Sequence, residues 1–288
     1  MKVCTTWLAR SLAALGIVLL ALTGCGGGGD GGGGPIVLPI LPPGGEPPPP
    51  PSTGRLESFA LRAASTGITY PIEVYLPPSY RESTRSYPTI YVLDGDARFN
   101  LGESRFANFR TLLDRHKKEA ILIGIGNTDR RDTDYTLPGG HRYHDFLAGQ
   151  LVPLIEERYR ADPGMRMLTG LSLSGSYVAI ALLIEAQHEM VFSHFLSSDG
   201  AFHSDYLAQI KSLDAQTHRI VGDRPIPATL VLASGSGGVS NERAVEEFNA
   251  YMRMRNYKGL GLVYLKFNAG HTPMDLPAFE NAINRFID

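Results

Sequence analysis

One short segment of the chain, residues 165–175, contains the residues from which a serine nucleophile could be built. A reactive serine of this kind stands on a sharp strand-to-helix turn, which requires small residues two positions before it and two positions after it. Gly170 and Ser174 meet this requirement around Ser172, which we assign as the nucleophile. Two alternatives remain: Ser174 flanked by Ser172 and Ser176 as the nucleophile, or a helix start with serine caps and no chemistry.

His271 is the candidate general base, because it follows the last apolar run of the chain in a Gly-His-Thr-Pro segment. A histidine at this position could take the proton of Ser172 and return it to a leaving group. His141 and His144 are three positions apart, which could suggest a metal pair. Since no further ligand cluster accompanies them, we interpret them as surface residues and expect neither a metal nor another cofactor.

Two carboxylates are candidates for the acid that would orient His271. The loop after the apolar run 228–233, residues 234–241, contains no Asp or Glu, and Glu242 is the first carboxylate after it. We assign Glu242, although its charge would also suit the N-terminus of a helix. Asp199, which comes after the apolar run 194–197, is the alternative acid, although residues 198–200 could instead shape the floor of the pocket. A serine–histidine pair without an acid is the third possibility.

An oxyanion that forms on the substrate would need backbone N–H donors close to Ser172. Leu173, the residue after the proposed nucleophile, should supply one of them. The second should come from the segment after Leu93, where Gly95 would let the backbone approach a substrate closely. Gly95 and Asp96 are both candidates for this second donor.

Strand-like and helix-like segments alternate along most of the chain, which predicts a mostly parallel sheet covered by helices on both faces. The predicted strands are 57–64, 68–76, 89–93, 120–125, 165–171, 194–197, 228–233 and 262–267. The predicted helices are 99–116, 144–159, 174–187, 204–220, 241–255 and 276–287. Because ligands bind at the carboxyl ends of parallel strands, the candidate residues that follow these strands should share one edge of the sheet.

The N-terminal part of the chain has a different composition from the rest. Residues 1–24 have a basic start and an apolar stretch, as bacterial signal peptides do, and a Leu-Thr-Gly-Cys segment ends at Cys25. We predict a lipid on Cys25, a Gly/Pro-rich linker over residues 25–54 and a single domain over residues 55–288. The alternative is an ordinary signal peptide followed by a chance cysteine. Gly26 after the cysteine resembles lipoproteins sorted to the outer membrane, so we expect the domain there, facing the periplasm.

Composition argues against several other functions. The chain has 27 basic and 29 acidic residues, a net charge of −2 and no long run of Lys or Arg, so we expect no nucleic-acid partner. Its two cysteines, Cys4 and Cys25, both precede the predicted domain. A cysteine nucleophile, a disulfide and a cysteine-based metal site are therefore excluded in that domain.

Several segments occur together in the order typical of one protein family. They are residues 91–96, residues 124–127 followed by Arg131 and residues 134–136, residues 170–175, and residues 270–273. The chain resembles the putative esterase family of α/β-hydrolases, which includes esterase D, the enterochelin and salmochelin siderophore esterases and feruloyl esterase domains. The resemblance implies an α/β-hydrolase fold and a serine esterase that forms an acyl-enzyme intermediate. Residues 197–202 depart from the aromatic-bearing segment that family members often have there.

Three functions are compatible with this resemblance. The first is hydrolysis of a small-molecule carboxylic ester by a protein held at the membrane through its lipid. The second is acyl transfer, in which an alcohol replaces water, and the third is a binding module on a hydrolase fold that has lost catalysis. The presence of Ser172, His271 and Gly95 favours the enzyme, because a polar and strained site serves little structural purpose.

Overall fold

The computed structural model of the protein describes residues 53–99, 102–126 and 128–287. The predicted signal peptide, Cys25 with its predicted lipid, and residues 26–52 of the predicted linker lie outside the described residues. All described residues belong to one compact unit. None of the helices that they form is long and apolar enough to cross a membrane.

The described residues form an eight-stranded sheet with the strand order β1-β2-β4-β3-β5-β6-β7-β8. The strands are β1 (Arg55–Arg62), β2 (Thr69–Leu76), β3 (Tyr87–Leu93), β4 (Ile121–Ile125), β5 (Ala161–Leu171), β6 (His194–Ser198), β7 (Thr229–Gly235) and β8 (Gly261–Phe267). β2 pairs antiparallel with both β1 and β4, and the remaining neighbours pair parallel. The predicted mostly parallel sheet is confirmed, and the carboxyl ends of β3 to β8 share one edge.

Helices connect the parallel strands and cover both faces of the sheet. They are α1 (Arg105–His116), α2 (Arg131–Asp134), α3 (Gly139–Phe146), α4 (Val152–Arg158), α5 (Leu173–Ala186), α6 (Ser204–Val221), α7 (Glu242–Arg255) and α8 (Asp275–Phe286). The short helix α2 was not predicted. The predicted helix 99–116 begins only at Arg105, because Ser104 caps it by accepting the N–H of Ala107 through its hydroxyl over 3.1 Å.

The core has two apolar layers, one on each face of the sheet. On β3, Tyr91 and Leu93 belong to the layer formed with helices α3 to α7, whereas Ile90 and Val92 belong to the layer formed with α1 and α8. Burial on both faces explains why the central strands are continuous apolar runs. Helix α5 is buried along its whole length, so the residue that precedes it is held firmly against the sheet.

Candidate active site

The carboxyl edge of the sheet brings three of the predicted residues together. Ser172 directly follows β5, Asp199 directly follows β6, and His271 lies in the loop after β8. The N–H of Ser172 donates to the carbonyl of Ser198 over 3.0 Å, which places the serine beside the end of β6. His271 reaches the same strand end through a contact between its Nδ1 and Asp199. A serine, an imidazole and a carboxylate thus share one edge.

Ser172 has the strained backbone conformation that a nucleophile elbow requires. Its φ of 63° and ψ of −118° are rare for a residue other than glycine. The turn is held in place because the Ser172 carbonyl accepts the N–H groups of Ser176 and Ala201, each over 3.0 Å. Gly170 is necessary as well, since a Cβ at this position would lie 2.2 Å from the carbonyl oxygen of Ser174.

Ser174, the alternative nucleophile, is fully buried. Its hydroxyl donates to Oδ2 of Asp94 over 2.7 Å and accepts the N–H of Leu171 over 2.9 Å. A hydroxyl that is enclosed and engaged in this way has no path to a substrate. Ser172 is partly exposed, so the geometry favours the register in which Ser172 is the nucleophile.

His271 and Asp199 form the hydrogen bond that would orient a general base. Nδ1 of His271 lies 2.5 Å from Oδ2 of Asp199, and the carboxylate is fully buried whereas the imidazole is partly exposed. Oδ1 of Asp199 also accepts the N–H of Gly235 over 3.1 Å, and Oδ2 accepts the N–H of Asn241 over 2.9 Å. A proton on Nδ1 satisfies the contact with Asp199, which leaves Nε2 for proton transfer.

The loop between β7 and α7 folds over Asp199 and His271. The side-chain amide of Asn241 donates to the carbonyl of Asp199 over 2.8 Å, and the carbonyl of Val239 accepts the N–H of His271 over 2.8 Å. The sequence does not indicate a role for Asn241 or Val239. A lone Asn before a helix is also a common helix-capping residue, so its type alone did not indicate a role beside the acid.

Glu242 does not contact His271, and the prediction that it orients the imidazole is wrong. It is the first residue of α7 and forms an ion pair with Nζ of Lys266 on β8. Lys266 Nζ also lies 3.2 Å from Glu246, in a partly exposed cluster. The carboxylate beside His271 is Asp199, the alternative acid. Glu242 lies beyond the whole β7–α7 loop, whereas Asp199 emerges directly from a neighbouring strand.

The predicted oxyanion donors differ in whether their N–H groups already donate a hydrogen bond within the protein. Leu173 is the first residue of α5, so its N–H has no partner within that helix. The N–H of Gly95 donates to the carbonyl of Ile125 over 2.9 Å, so the proposal of Gly95 as a donor is wrong. A glycine is nevertheless needed there, because a Cβ would lie 2.9 Å from Cα of Gly124. Asp96, in the same turn, stays the candidate second donor.

Asp94 joins the turn before α1 to the nucleophile elbow. It is buried in a left-handed backbone conformation with a φ of 51°. Besides Ser174, its Oδ2 accepts Nε of Arg131 over 3.1 Å, and Nη2 of Arg131 donates to the carbonyl of Leu171 over 3.2 Å. Burial raises the pKa of the Asp94 carboxyl, while Arg131 and Ser174 act in the lowering direction. These contacts hold the predicted oxyanion segment against the elbow.

The two histidines considered for a metal pair have separate environments. His141 is exposed. His144 is buried, and its Nε2 lies 3.0 Å from Oε1 of the buried Glu185, so the interpretation of His144 as a surface residue is wrong. Across residues 53–99, 102–126 and 128–287, the structure shows no group of three or more His, Cys, Asp or Glu residues that could hold a metal ion.

Comparison of the sequence with known proteins identifies related chains. The family described as putative esterase matches residues 63–209, which include Ser172 and Asp199. The uncharacterized protein YbbA of Bacillus subtilis is 31% identical over 169 residues, which cover 51% of this chain and 64% of YbbA. The match therefore spans less than two thirds of that relative.

Solved structures resemble the described fold over most of its length. An IroE-like serine hydrolase from Shewanella oneidensis has a TM-score of 0.68 at 22% identity, with 80% of this chain and 79% of that chain covered. The siderophore hydrolase EstA from Aspergillus nidulans has a TM-score of 0.66 at 18% identity, with 84% and 97% covered. The enterobactin and salmochelin hydrolase IroE has a TM-score of 0.58 at 19% identity, with 81% and 95% covered.

These similarities confirm the predicted α/β-hydrolase fold. The nucleophile elbow and the carboxylate that contacts His271 both lie in the segment matched by the family. Since this segment covers just over half of the sequence, the chain belongs to the putative esterase family.

Proposed function

We propose that the protein hydrolyses small-molecule carboxylic esters, with Ser172 as nucleophile, His271 as general base and Asp199 as the residue that orients His271. The observation that carries this proposal is the contact of 2.5 Å between His271 Nδ1 and the buried Asp199, beside a serine in the strained elbow conformation. A buried carboxylate that accepts two backbone N–H groups is fixed in position, as an orienting acid must be.

In the proposed reaction, Nε2 of His271 removes the hydroxyl proton of Ser172 while Oγ attacks the carbonyl carbon of the ester. The negative charge that develops on the carbonyl oxygen is stabilised by the N–H of Leu173 at the start of α5. The intermediate collapses, the C–O bond to the alcohol breaks, and His271 returns the proton to the departing alkoxide. Water then repeats the sequence on the acyl-enzyme and releases the acid. Asp199 stabilises the imidazolium in both steps.

The proposal is tested by measuring hydrolysis of p-nitrophenyl esters, thioesters, feruloyl esters and catecholate trilactones by wild type and by Ser172→Ala. Removing an essential member of such a triad typically costs ~10⁴–10⁶ in kcat. Ser240→Ala is a matched control, since Ser240 is a partly exposed serine of the adjacent β7–α7 loop and should retain wild-type rates. Full activity of Ser172→Ala would refute the proposal, as would the absence of turnover of every ester by wild type.

We also propose that a lipid on Cys25 holds the domain at the bacterial outer membrane, facing the periplasm. The support is the Leu-Thr-Gly-Cys segment and the Gly/Pro-rich linker after it. The geometry of the domain is compatible with such a tether. Arg55 pairs with Leu76 at the start of β1, and Tyr75 pairs with Leu122, so the chain enters the sheet at the edge opposite the catalytic residues.

Cell fractionation of the full-length protein tests this anchor. Each buried CH₂ of an acyl chain contributes ~0.8 kcal/mol to membrane binding, so a cysteine with several acyl chains should hold the wild type in the membrane fraction. Cys25→Ser should appear in the soluble periplasmic or secreted fraction, and Cys4→Ser should behave as wild type. Soluble wild-type protein with no acyl mass on its N-terminal peptide would contradict the anchor.

A further inference from the structure

Arg105 is a fully buried arginine at the first residue of α1, and its guanidinium contacts the segments that carry the proposed catalytic groups. Nε donates to Oδ2 of Asp275 over 2.8 Å, and Nη2 donates to Oδ1 of Asp275 over 3.0 Å. Nη1 donates to the carbonyls of Leu93 and Thr169 over 2.8 and 3.2 Å, and Nη2 also donates to Oγ1 of Thr169 over 3.0 Å. All five N–H groups of the guanidinium are thus used.

The three partners of Arg105 lie next to three different parts of the site. Leu93 is the last residue of β3, immediately before the turn that contains the predicted oxyanion donor Asp96. Thr169 lies in β5, just before the elbow. Asp275 is the first residue of α8 and closes the loop that carries His271. One side chain therefore connects the oxyanion segment, the nucleophile strand and the loop of the general base.

Backbone hydrogen bonds connect Arg105 and Asp275 to the segments that form the site. The N–H of Arg105 donates to the carbonyl of Ala97 over 2.8 Å, so α1 begins directly against the oxyanion turn. In the loop after β8, the N–H of Asp275 donates to the carbonyl of Thr272 over 3.2 Å, and the N–H of Met274 donates to the carbonyl of Gly270 over 3.1 Å. This compact turn leaves His271 little freedom relative to Asp275.

A contribution to folding stability does not by itself explain why the charges of Arg105 and Asp275 are buried. Arg105 and Asp275 are both inaccessible to solvent, and such pairs can often be replaced by apolar residues of similar volume without loss of stability. A planar, two-pronged contact does, however, fix distances and angles that an apolar contact leaves free. The aromatic rings of Phe109 and Phe279 already stack between α1 and α8 at 3.7 Å, so the two helices have an apolar contact as well.

We propose that Arg105 and Asp275 are positioning residues, which set the geometry between Ser172, the oxyanion donors and His271 in the esterase reaction proposed above. Neither residue touches the substrate. Their removal should misplace groups that act together in the transition state, and a displacement of about 1 Å can cost ~10²-fold in rate. Because binding of the ester itself does not require this alignment, the loss should appear in kcat and leave KM nearly unchanged.

The test compares two double variants of the full-length enzyme. In Arg105→Met/Asp275→Leu, both charges of the positioning pair are replaced by apolar side chains. The control is Arg255→Met/Asp214→Leu, which removes the ion pair between Arg255 and the fully buried Asp214 on α6. Arg255 is the last residue of α7, at the end of that helix remote from the carboxyl edge. For each variant, kcat and KM with a p-nitrophenyl ester are measured per site titrated by a fluorophosphonate. Thermal unfolding is recorded in parallel.

We expect the Arg105→Met/Asp275→Leu enzyme to lose ~10²-fold in kcat per titrated site with KM within about threefold of wild type. The control should keep the wild-type kcat per titrated site whatever its Tm. Arg105→Lys keeps the charge but loses the fork of donors, so it should lose at least ~10-fold in kcat per titrated site. Because it keeps the buried ion pair, it also provides the test if the double variant fails to fold.

Wild-type kcat per titrated site in both Arg105 variants would overturn the positioning role, even if their Tm falls. An equal loss of kcat per site in the control pair would also overturn it, since the effect would then follow from loosened packing anywhere in the domain. A wild-type enzyme that neither turns over esters nor reacts with the fluorophosphonate would overturn the proposed function and this inference with it. Active wild type with unaffected variants overturns the inference alone.

Discussion

The loops after β6 and β7 lie side by side at the carboxyl edge and contribute opposite kinds of group to one hydrogen-bond network. The loop after β6 contributes a carboxylate, Asp199, which is fully buried. The β7–α7 region contributes the N–H donors of Gly235 and Asn241 that hold this carboxylate. Its first carboxylate, Glu242, points to Lys266 instead. The β7–α7 region therefore holds the carboxylate in place without contributing a carboxylate of its own to the network.

The two carboxylates also differ in how strongly their charge can act. Asp199 is fully shielded from water and the side chain of His271 is 29% exposed, so solvent weakens their interaction less than it weakens a pair in which both groups are exposed. The side chain of Glu242 is 32% exposed and that of Lys266 is 45% exposed, so this pair is screened by water and salt. Being the first carboxylate after the predicted strand 228–233 is therefore less informative than burial together with several N–H donors.

The largest loss of kcat is expected from substitution of His271, which contacts both the loop after β6 and the loop after β7. His271→Ala should lose ~10⁴–10⁶ in kcat, because proton transfer to and from Ser172 is removed. His141→Ala is the matched control, since His141 is exposed and should keep wild-type activity. Steady-state kinetics with a p-nitrophenyl ester measures both, and near-wild-type turnover by His271→Ala would remove the catalytic assignment of this loop.

Replacing each of the two carboxylates by its amide distinguishes their roles. Asp199→Asn should lose about 10⁴-fold in kcat, because an amide cannot stabilise the imidazolium and favours the wrong tautomer of His271. Glu242→Gln should stay within about twofold of wild type, since its partner is an exposed lysine. Both rates are measured with the same ester. A large loss in Glu242→Gln together with an active Asp199→Asn would reverse the assignment.

A smaller effect is expected where the β7–α7 loop holds the acid. Asn241→Ala removes the side-chain hydrogen bond to the Asp199 carbonyl but keeps the backbone N–H that contacts its carboxylate. One such hydrogen bond contributes about 1 kcal/mol, so we expect kcat to fall roughly 5- to 10-fold with KM nearly unchanged. Ser240→Ala controls for disturbance of the loop. A loss as large as that of Asp199→Asn would mean that Asn241 does more than hold the loop.

The smallest effect is expected at the exposed charge cluster around Glu242. Lys266→Met breaks the ion pairs with Glu242 and Glu246 on α7 without touching the network of Asp199. Because exposed ion pairs contribute little to stability, Tm should change by no more than about 2 °C and kcat should be unchanged. Calorimetry and kinetics at low and high salt measure both quantities. A substantial loss of kcat in Lys266→Met would tie this cluster to the site.

Residues whose role depends on their immediate neighbours could be predicted from the sequence. Apolar runs marked the strands, with bounds that differ from the structure by a few residues. Gly170 and Ser174 indicated the elbow around Ser172, since the turn needs small side chains within the same short segment. The place of His271 after the last predicted strand put it at the carboxyl edge, where it contacts Asp199.

Features that depend on contacts between distant segments could not be predicted in this way. The N–H of Gly95 donates to the carbonyl of Ile125 because β3 and β4 are neighbours in the sheet. The choice between Asp199 and Glu242 depends on how the β7–α7 loop folds over the end of β6. Arg105 has no local pattern at all, because its partners are spread from the end of β3 to the start of α8.

Reaction of the wild-type protein with a fluorophosphonate identifies the nucleophile directly, because fragmentation of the labelled peptide in a mass spectrometer locates the modified serine. The fragmentation has to distinguish Ser172 from Ser174 and Ser176, because the three serines lie on one short segment. We expect a single adduct on Oγ of Ser172, formed at a rate that falls steeply in His271→Ala and Asp199→Asn and not in Glu242→Gln. An adduct on Ser174 would contradict the assignment of Ser172 as the nucleophile. Hydrolysis of esters by Ser172→Ala at the wild-type rate would contradict it as well.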